Sequence, residues 1–182
     1  MNVHTTVDSP IGELLLIGER SEAARGGLAL ASVSFADQGA TQGAGQSTGQ
    51  SAGQGGARAG RRDPGAFAAV ERQLREYFAG ERTGFELGFV HHGSAFQETV
   101  WAALDGLPYG RTTTYGRLAE QVGAPRDRIR AVGGAIGANP LLIVRPCHRV
   151  IGANGSLTGY AGGLERKRYL LTHEGALQPL FV

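Results

Sequence analysis

The sequence is poor in several residue types, and each shortage excludes something. Its 182 residues hold one cysteine, one methionine and one tryptophan. Of eighteen basic residues, only Lys167 is a lysine. A single cysteine excludes an internal disulfide and any site built on two thiolates, including cysteine-rich zinc sites. No metal is therefore expected. No apolar run approaches the roughly 18 residues that span a bilayer, so no membrane partner is expected. Met1-Asn2-Val3-His4-Thr5 lacks the basic start and apolar core of a signal peptide. A lone free thiol fits a reducing, cytoplasmic setting. Charge of one sign is not in excess: the formal net charge is +2, and a pI near 9.0 only hints at nucleic acid.

What remains is a globular composition, 41% hydrophobic and 19% charged. The length suits one domain or two small ones. Arginine in place of lysine suits phosphate contacts, though codon bias gives the same picture.

The chain opens with strand-like segments at 3–7, Leu14 to Ile17 and Leu28 to Phe35. Asp8-Ser9-Pro10-Ile11-Gly12 is a turn between the first two, and the three predict a small antiparallel meander. Residues 36–65 are rich in Gly, Gln, Ser and Ala and lack large hydrophobes. They read as a flexible surface loop, with Arg58, Arg61 and Arg62 as a solvated cluster or a phosphate contact. Asp63 then caps a helix that Pro64 begins, with Phe67, Val70, Leu74, Tyr77 and Phe78 at helical spacing and Gly80 as the stop. Phe85, Leu87 and Phe89 alternate as a short strand. The expected organisation is an α/β scaffold over 1–90 and a mostly α second domain over 94–182. His91-His92 reads as a loop pair without metal partners.

Ser94 caps a helix that carries Phe96, Val100, Trp101 and Leu104 on one face. Thr114 caps a second, Tyr115 to Val122. After Gly123-Ala124-Pro125, Asp127 caps a third that runs to about Gly137. The last two form a helix-turn-helix pattern. In the third helix Ile129, Val132 and Ile136 share an inward face, and Ala131, Gly134, Ala135 and Ala138 lie opposite. So bare a face allows another surface to come very close, with Arg130 at its flank. DNA and a neighbouring protein helix both remain open as that surface.

Leu141 to Val144 is an apolar run that reads as a short buried strand, ended by Pro146. The only cysteine, Cys147, would sit just past its end beside His148 and Arg149. Thiolate is the nucleophile, and nearby cations lower a thiol's pKa. A small buried hydrophobe is the competing reading, because free cysteine is often buried. Gly152-Ala153-Asn154-Gly155-Ser156 signals a hairpin turn. A closing helix from Leu164 to Glu174 has Leu164, Tyr169 or the stem of Arg168, Leu170 and Leu171 on its apolar side and ends at Gly175.

Pro146-Cys147-His148-Arg149-Val150, preceded by Asn139-Pro140 and followed by Gly159-Tyr160-Ala161-Gly162-Gly163, resembles the active-site motif of the O6-alkylguanine-DNA alkyltransferases. The resemblance is strong from about Ser94 to Gly175. It implies DNA repair by irreversible, once-only transfer of an alkyl group from O6 of guanine, and also from O4 of thymine, to Cys147. No cofactor is implied. His148, through a water, would take the thiol proton, and Glu174 would orient His148. Asn139 would brace the turn. Tyr115 would hydrogen-bond the purine and promote flipping. Arg130 would fill the vacated stack. Ala131, Gly133, Gly134 and Ala135 would enter the minor groove of double-stranded DNA, with Arg126 beside them. Val150, Tyr160, Ala161 and Gly162 would form the substrate pocket. The implied protein is a monomer, with cooperative binding along DNA left open.

The match has departures. Ala161 stands where some relatives carry serine, which removes a hydroxyl contact to O6. The Gly/Gln-rich loop is not a family feature. The competing class is a lesion-binding module or helix-turn-helix regulator that transfers nothing. Alkyltransferase-like binders replace the cysteine that is present here, and base-reading regulators favour polar recognition helices over Ala and Gly.

Overall fold

In a computed structural model, the structure describes residues 1–40, 59–90 and 92–178. The chain forms two compact units, Met1–His92 and Gly93–Val182.

In the first unit, β1 (Asn2–Val7), β2 (Leu14–Arg20) and β3 (Leu28–Phe35) make the antiparallel meander. A bulge between Ile17 and Gly18 shifts the β2–β3 register. The segment 36–65 is not simply a loop. Its start is the short helix α1 (Ala36–Ala40), and β4 (Arg61–Arg62) adds a parallel edge to β1. Asp63 N–H bonds the His4 carbonyl, and the Asp63 carboxylate pairs with Arg20. Backbone pairing holds this stretch, which needs no large hydrophobe and so left no trace in the composition. Residues 41–58 of that segment, with Arg58, lie outside the described residues, as does His91.

Asp63 caps a 3-10 turn, Pro64–Phe67, and α2 follows (Ala68–Phe78). Phe67, Val70, Leu74 and Tyr77 are buried along that face. Each contributes about 1.5–3 kcal/mol by leaving water. The strand expected over Phe85 to Phe89 shrinks to β5 (Gly88–Phe89), parallel to β3. The sheet order is β4-β1-β2-β3-β5. Gln73 fastens the chain before β5 through both amide atoms, to the backbone of Glu86.

In the second unit, α3 (Ala95–Asp105) starts at a full capping box of Ser94 and Gln97. β6 (Thr113–Thr114) leads into α4 (Tyr115–Gln121), capped by Thr114. A 3-10 turn, Arg126–Arg128, precedes α5 (Ile129–Gly137). Asp127 lies inside that turn and does not cap α5, because the chain enters the helix directly from 3-10 geometry. α5 packs on α3 and α4, and Trp101 Nε1 donates to the Ala135 carbonyl at 2.8 Å. This anchor rotates α5 from its expected setting. Val132, Ala135 and Ile136 are buried, whereas Ile129 is 38% exposed.

Leu141 to Val144 is not a strand. All of it except Val144 is buried, but as a tight turn. Four apolar residues show burial without showing conformation. β7 (Val150–Ile151) pairs in parallel with β6. Gly152 to Ser156 turns back through a Gly152 N–H to Ser156 carbonyl bond, but no second hairpin strand follows. α6 (Leu164–His173) buries Lys167, Leu170 and Leu171, while Leu164 and Tyr169 are exposed. Glu174 is its C-cap, and Gly175 leaves it at φ 75°.

Candidate active site

Asn139 follows the end of α5 and is buried. Its Oδ1 accepts from Leu141 N–H at 3.0 Å, and its Nδ2 donates to the Arg145 carbonyl at 3.1 Å. The side chain thus spans the turn from inside. Within the turn, Val144 N–H bonds the Leu142 carbonyl at 2.8 Å around Ile143, whose φ is 71°. This is a γ-turn of the rarer hand, on a β-branched residue, a conformation that costs about 1–3 kcal/mol. Cys147 N–H bonds the Arg145 carbonyl at 2.8 Å around Pro146, at φ −81° and ψ 56°. That is the commoner, inverse γ-turn, and it suits the fixed φ of proline. Two γ-turns and the Asn139 brace bring Cys147 to the start of a 3-10 turn, Cys147–Arg149.

Cys147 is 4% exposed. Burial pushes its thiol up from the ordinary value, and Asn139, Lys167 and Arg145 pull against burial without overcoming it. This corrects the expectation of a thiol lowered by its sequence neighbours. His148 and Arg149 turn instead to Glu174. His148 Nε2 lies 2.8 Å from Glu174 Oε1. Arg149 grips both carboxylate oxygens, at 2.8 and 2.9 Å, and donates to the Leu107 carbonyl. Burial alone would raise the Glu174 pKa, but the bonds from His148 and Arg149 outweigh it and hold the group at about 2. The His148 pKa is lowered, chiefly by burial and further by Arg149 and Lys167, against Glu174. A neutral imidazole that donates Nε2–H to a carboxylate presents a lone pair on Nδ1. That Nδ1 is buried and has no hydrogen-bond partner among the described residues.

Lys167, which had no assigned role, is fully buried. Its Nζ donates to the carbonyls of Val150 (2.6 Å), Thr158 (3.0 Å) and Gly159 (3.2 Å). Burial lowers its pKa to about 8. Three rotatable donors on one compact head fit three converging carbonyls better than a planar guanidinium does. The available signal was its singularity among arginines.

A cavity of about 190 Å3 opens at Cys147, lined by Tyr115, Gly133, Ile136, Gly137, Gly159, Tyr160 and Ala161. It is smaller than the 300 Å3 or more typical of drug-sized ligands and suits a single heterocyclic base. Tyr115 donates its hydroxyl to the Thr158 carbonyl at 2.8 Å. The Tyr160 hydroxyl is buried without a partner, and burial keeps it a neutral phenol. Val150 and Gly162 are not among the residues that line the cavity. The Val150 carbonyl is taken up by Lys167, and the Gly162 carbonyl accepts from Arg166. Gly137 and Ile136 were missed as wall residues.

On α5, Arg130, Ala131, Gly134 and Gly137 are exposed, and Gly133 is half-buried at the cavity. Ala135 does not belong to this face, since positions 132, 135 and 136 share the packed side. A Cβ added at Gly133, Gly134 or Gly137 would meet nothing within 4 Å. Nothing packed within the chain asks for glycine there, and each costs a helix about 0.8–1 kcal/mol against alanine. The bare face leaves room for a surface from outside. Arg126 is exposed beside it.

Residues 2–89 match the family model of the 6-O-methylguanine DNA methyltransferase ribonuclease-like domain, and residues 95–176 that of its DNA binding domain. The chain is 43% identical over 176 residues to the methylated-DNA–protein-cysteine methyltransferase of Mycobacterium tuberculosis, across 97% of this chain and 94% of that one. It is 40% identical to the constitutive enzyme of Bacillus subtilis, across 96% of each. The crystal structure of Mycobacterium tuberculosis OGT in complex with DNA superposes with a TM-score of 0.78 at 43% identity, covering 95% of this chain and 92% of that one. With a lone buried cysteine, a His–Glu pair behind it and relatives matched along nearly its whole length, the chain belongs to the methylated-DNA–protein-cysteine methyltransferase family.

Proposed function

We propose that this protein repairs DNA by moving an alkyl group from O6 of guanine to the sulfur of Cys147, once per molecule. The observation that carries the reading is the buried Cys147 facing a base-sized cavity, with a neutral His148 held by Glu174 in the same turn. The thiol passes its proton through a water to His148 Nδ1. Sulfur attacks the alkyl carbon, the carbon–O6 bond breaks, and its electron pair returns to the purine, which takes up a proton from solvent and leaves as guanine while His148 gives its proton back to solvent. The thioether does not reverse, so no cofactor is consumed and the protein is spent.

A buried thiol with a raised pKa needs this relay more than an exposed one does. Glu174 stabilises the imidazolium as it forms. Asn139 holds the turn, and Tyr115 donates to the purine ring, exchanging its Thr158 contact for that one. Tyr160 and Ala161 wall the alkyl group. The damaged base reaches the cavity by flipping, which is easiest for weakened pairs. Arg130 fills the gap, and Ala131, Gly133 and Gly134 come close to the minor groove of double-stranded DNA, with Arg126 at the phosphates. O4-alkylthymine is the second substrate class. The protein acts as a monomer on DNA in the cytoplasm; no helix among the described residues is long and apolar enough to cross a membrane.

Intact mass after incubation with a duplex that carries one O6-methylguanine tests the reading. One methyl on the Cys147 peptide, never more than one per molecule, is expected. An unchanged mass, with the protein folded and bound to the duplex, would replace it with lesion binding alone.

A further inference from the structure

The Cys147 turn is tied into its unit by a buried cation that no step of the transfer uses. Arg145 lies two residues before the sulfur and is 2% exposed. Its Nε donates to Asp105 Oδ1 at 2.9 Å, and its guanidinium carbon lies 5.3 Å from the centre of the Trp101 ring. Trp101 in turn donates to the Ala135 carbonyl of α5. At the main-chain end, the Arg145 carbonyl accepts from Cys147 N–H at 2.8 Å and from Asn139 Nδ2 at 3.1 Å.

One residue therefore joins three things: the last helical turn of α3, the anchor of α5, and the peptide that aims Cys147. A planar guanidinium suits this place, because it can bond a carboxylate in its plane while its face lies on an indole. Folding alone does not require it. The Asp105 side chain is 45% exposed, so water screens the pair and its net contribution to stability is small. Burial pushes the Cys147 thiol up, and Arg145 is one of the groups that oppose this.

We propose that Arg145, clamped by Asp105 and Trp101, is a positioning residue for alkyl transfer, holding the Cys147 sulfur in line with the alkyl carbon in the cavity and locking that alignment to α5. The inference rests on Cys147 as the alkyl acceptor. A misplacement of about 1 Å at a reacting atom can cost roughly 10²-fold in rate.

The test uses Arg145→Met, Asp105→Asn and the double variant that carries both. Single-turnover transfer from free O6-benzylguanine, over a range of concentrations, separates the maximal rate from half-saturation. Chemical denaturation of each variant runs in parallel. Asp105→Asn leaves the buried Arg145 without its carboxylate, whereas Arg145→Met leaves Asp105 at the surface, where water solvates it; the double change strands no charge, so its stability should lie close to that of the wild type. The expected result is a maximal rate that stays about tenfold or more below wild type in the stable double variant, with half-saturation within about twofold. Sole-tryptophan emission should shift when wild-type Cys147 is alkylated and stay unmoved in the double variant. A double variant that transfers at the wild-type rate would overturn the proposal. So would rates that merely follow stability across all three variants, or a change confined to half-saturation. Failure of the wild-type protein itself to take up the benzyl group would bring down the acceptor assignment, and the clamp with it.

Discussion

The two units differ in where they keep polarity. Among the described residues of Met1–His92 the buried polar side chains are Thr5 and Gln73, both uncharged. In Gly93–Val182 they are Asn139, Arg145, His148, Arg149, Lys167 and Glu174. The first unit leaves its charges at the surface, as in the Arg20–Asp63 pair, where Arg20 is half-exposed. The second takes five charged or titratable polar side chains out of water; His148, Arg149 and Glu174 bond one another, Lys167 bonds backbone carbonyls, and Arg145 bonds the partly exposed Asp105. Burying a charge is expensive unless it is paired and hydrogen-bonded. A fold accepts that cost where the charges serve something besides stability, and here Lys167 and Arg145 act on the Cys147 thiol while His148 follows it in the same 3-10 turn.

The largest effect is expected from Cys147→Ser or Cys147→Ala. Transfer should vanish by intact mass while DNA affinity by gel shift is kept; residual adduct on another residue would refute the acceptor. Next is Glu174→Gln, which leaves Arg149 and His148 without their carboxylate. It should lower stability by about 3–5 kcal/mol in chemical denaturation, as for other broken buried pairs, and slow transfer as well. Arg20→Ala in the first unit should cause a far smaller loss. Equal losses would erase the contrast between the units.

Acid should act on the second unit in a defined window. The Glu174 pKa is about 2, against an ordinary 4.5. A carboxylate lowered by folding adds stability above its unfolded pKa and loses it as pH falls toward its folded one. The loss between about pH 4.5 and 2 amounts to about 3 kcal/mol. His148, lowered from 6.5 by burial, works in the same direction below that value. Denaturation midpoints across that range should fall in wild type and stay much flatter in Glu174→Gln.

Arg130→Ala should slow repair of a paired lesion by about tenfold, within the few kcal/mol that unstacking a base step costs, and leave reaction with the free base within twofold. Equal losses on both substrates would sink the finger assignment. The smallest effect sharpens the contrast between function and stability. Gly134→Ala fills open space, so it should stabilise α5 by about 0.5–1 kcal/mol while weakening duplex binding. Gain in both would mean the bare face serves no close approach.

The sequence carried the local signals well. Ser94, Thr114 and Asp63 are side-chain caps, and each sits where its hydroxyl or carboxylate accepts a backbone N–H. The family resemblance implied His148, Glu174 and Asn139; His148 does lie at hydrogen-bond distance from Glu174, and Asn139 bonds the Arg145 carbonyl. What escaped depends on contacts distant in sequence. The rotation of α5 follows from Trp101 reaching Ala135, 34 positions on, which no periodicity can show. The turn at Ile143 looked like a strand because an apolar tetrad reports burial alone. The burial of Lys167, Arg145 and Arg149 escaped as well, since nothing in their neighbours tells a buried cation from an exposed one. The parallel pairing of β4 escaped because two arginines in a glycine-rich stretch have no strand signature.

The burial of Lys167 has a practical consequence. It is the one lysine in the chain, and its amine is closed in by three carbonyls. An acylating reagent can reach that nitrogen only when the chain around Thr158 and Gly159 lifts away. Slow acylation of Lys167, followed by peptide mass, is therefore a clock for local opening of the cavity wall. It needs no introduced label, and it could be read with and without DNA to show whether the wall closes over a seated base.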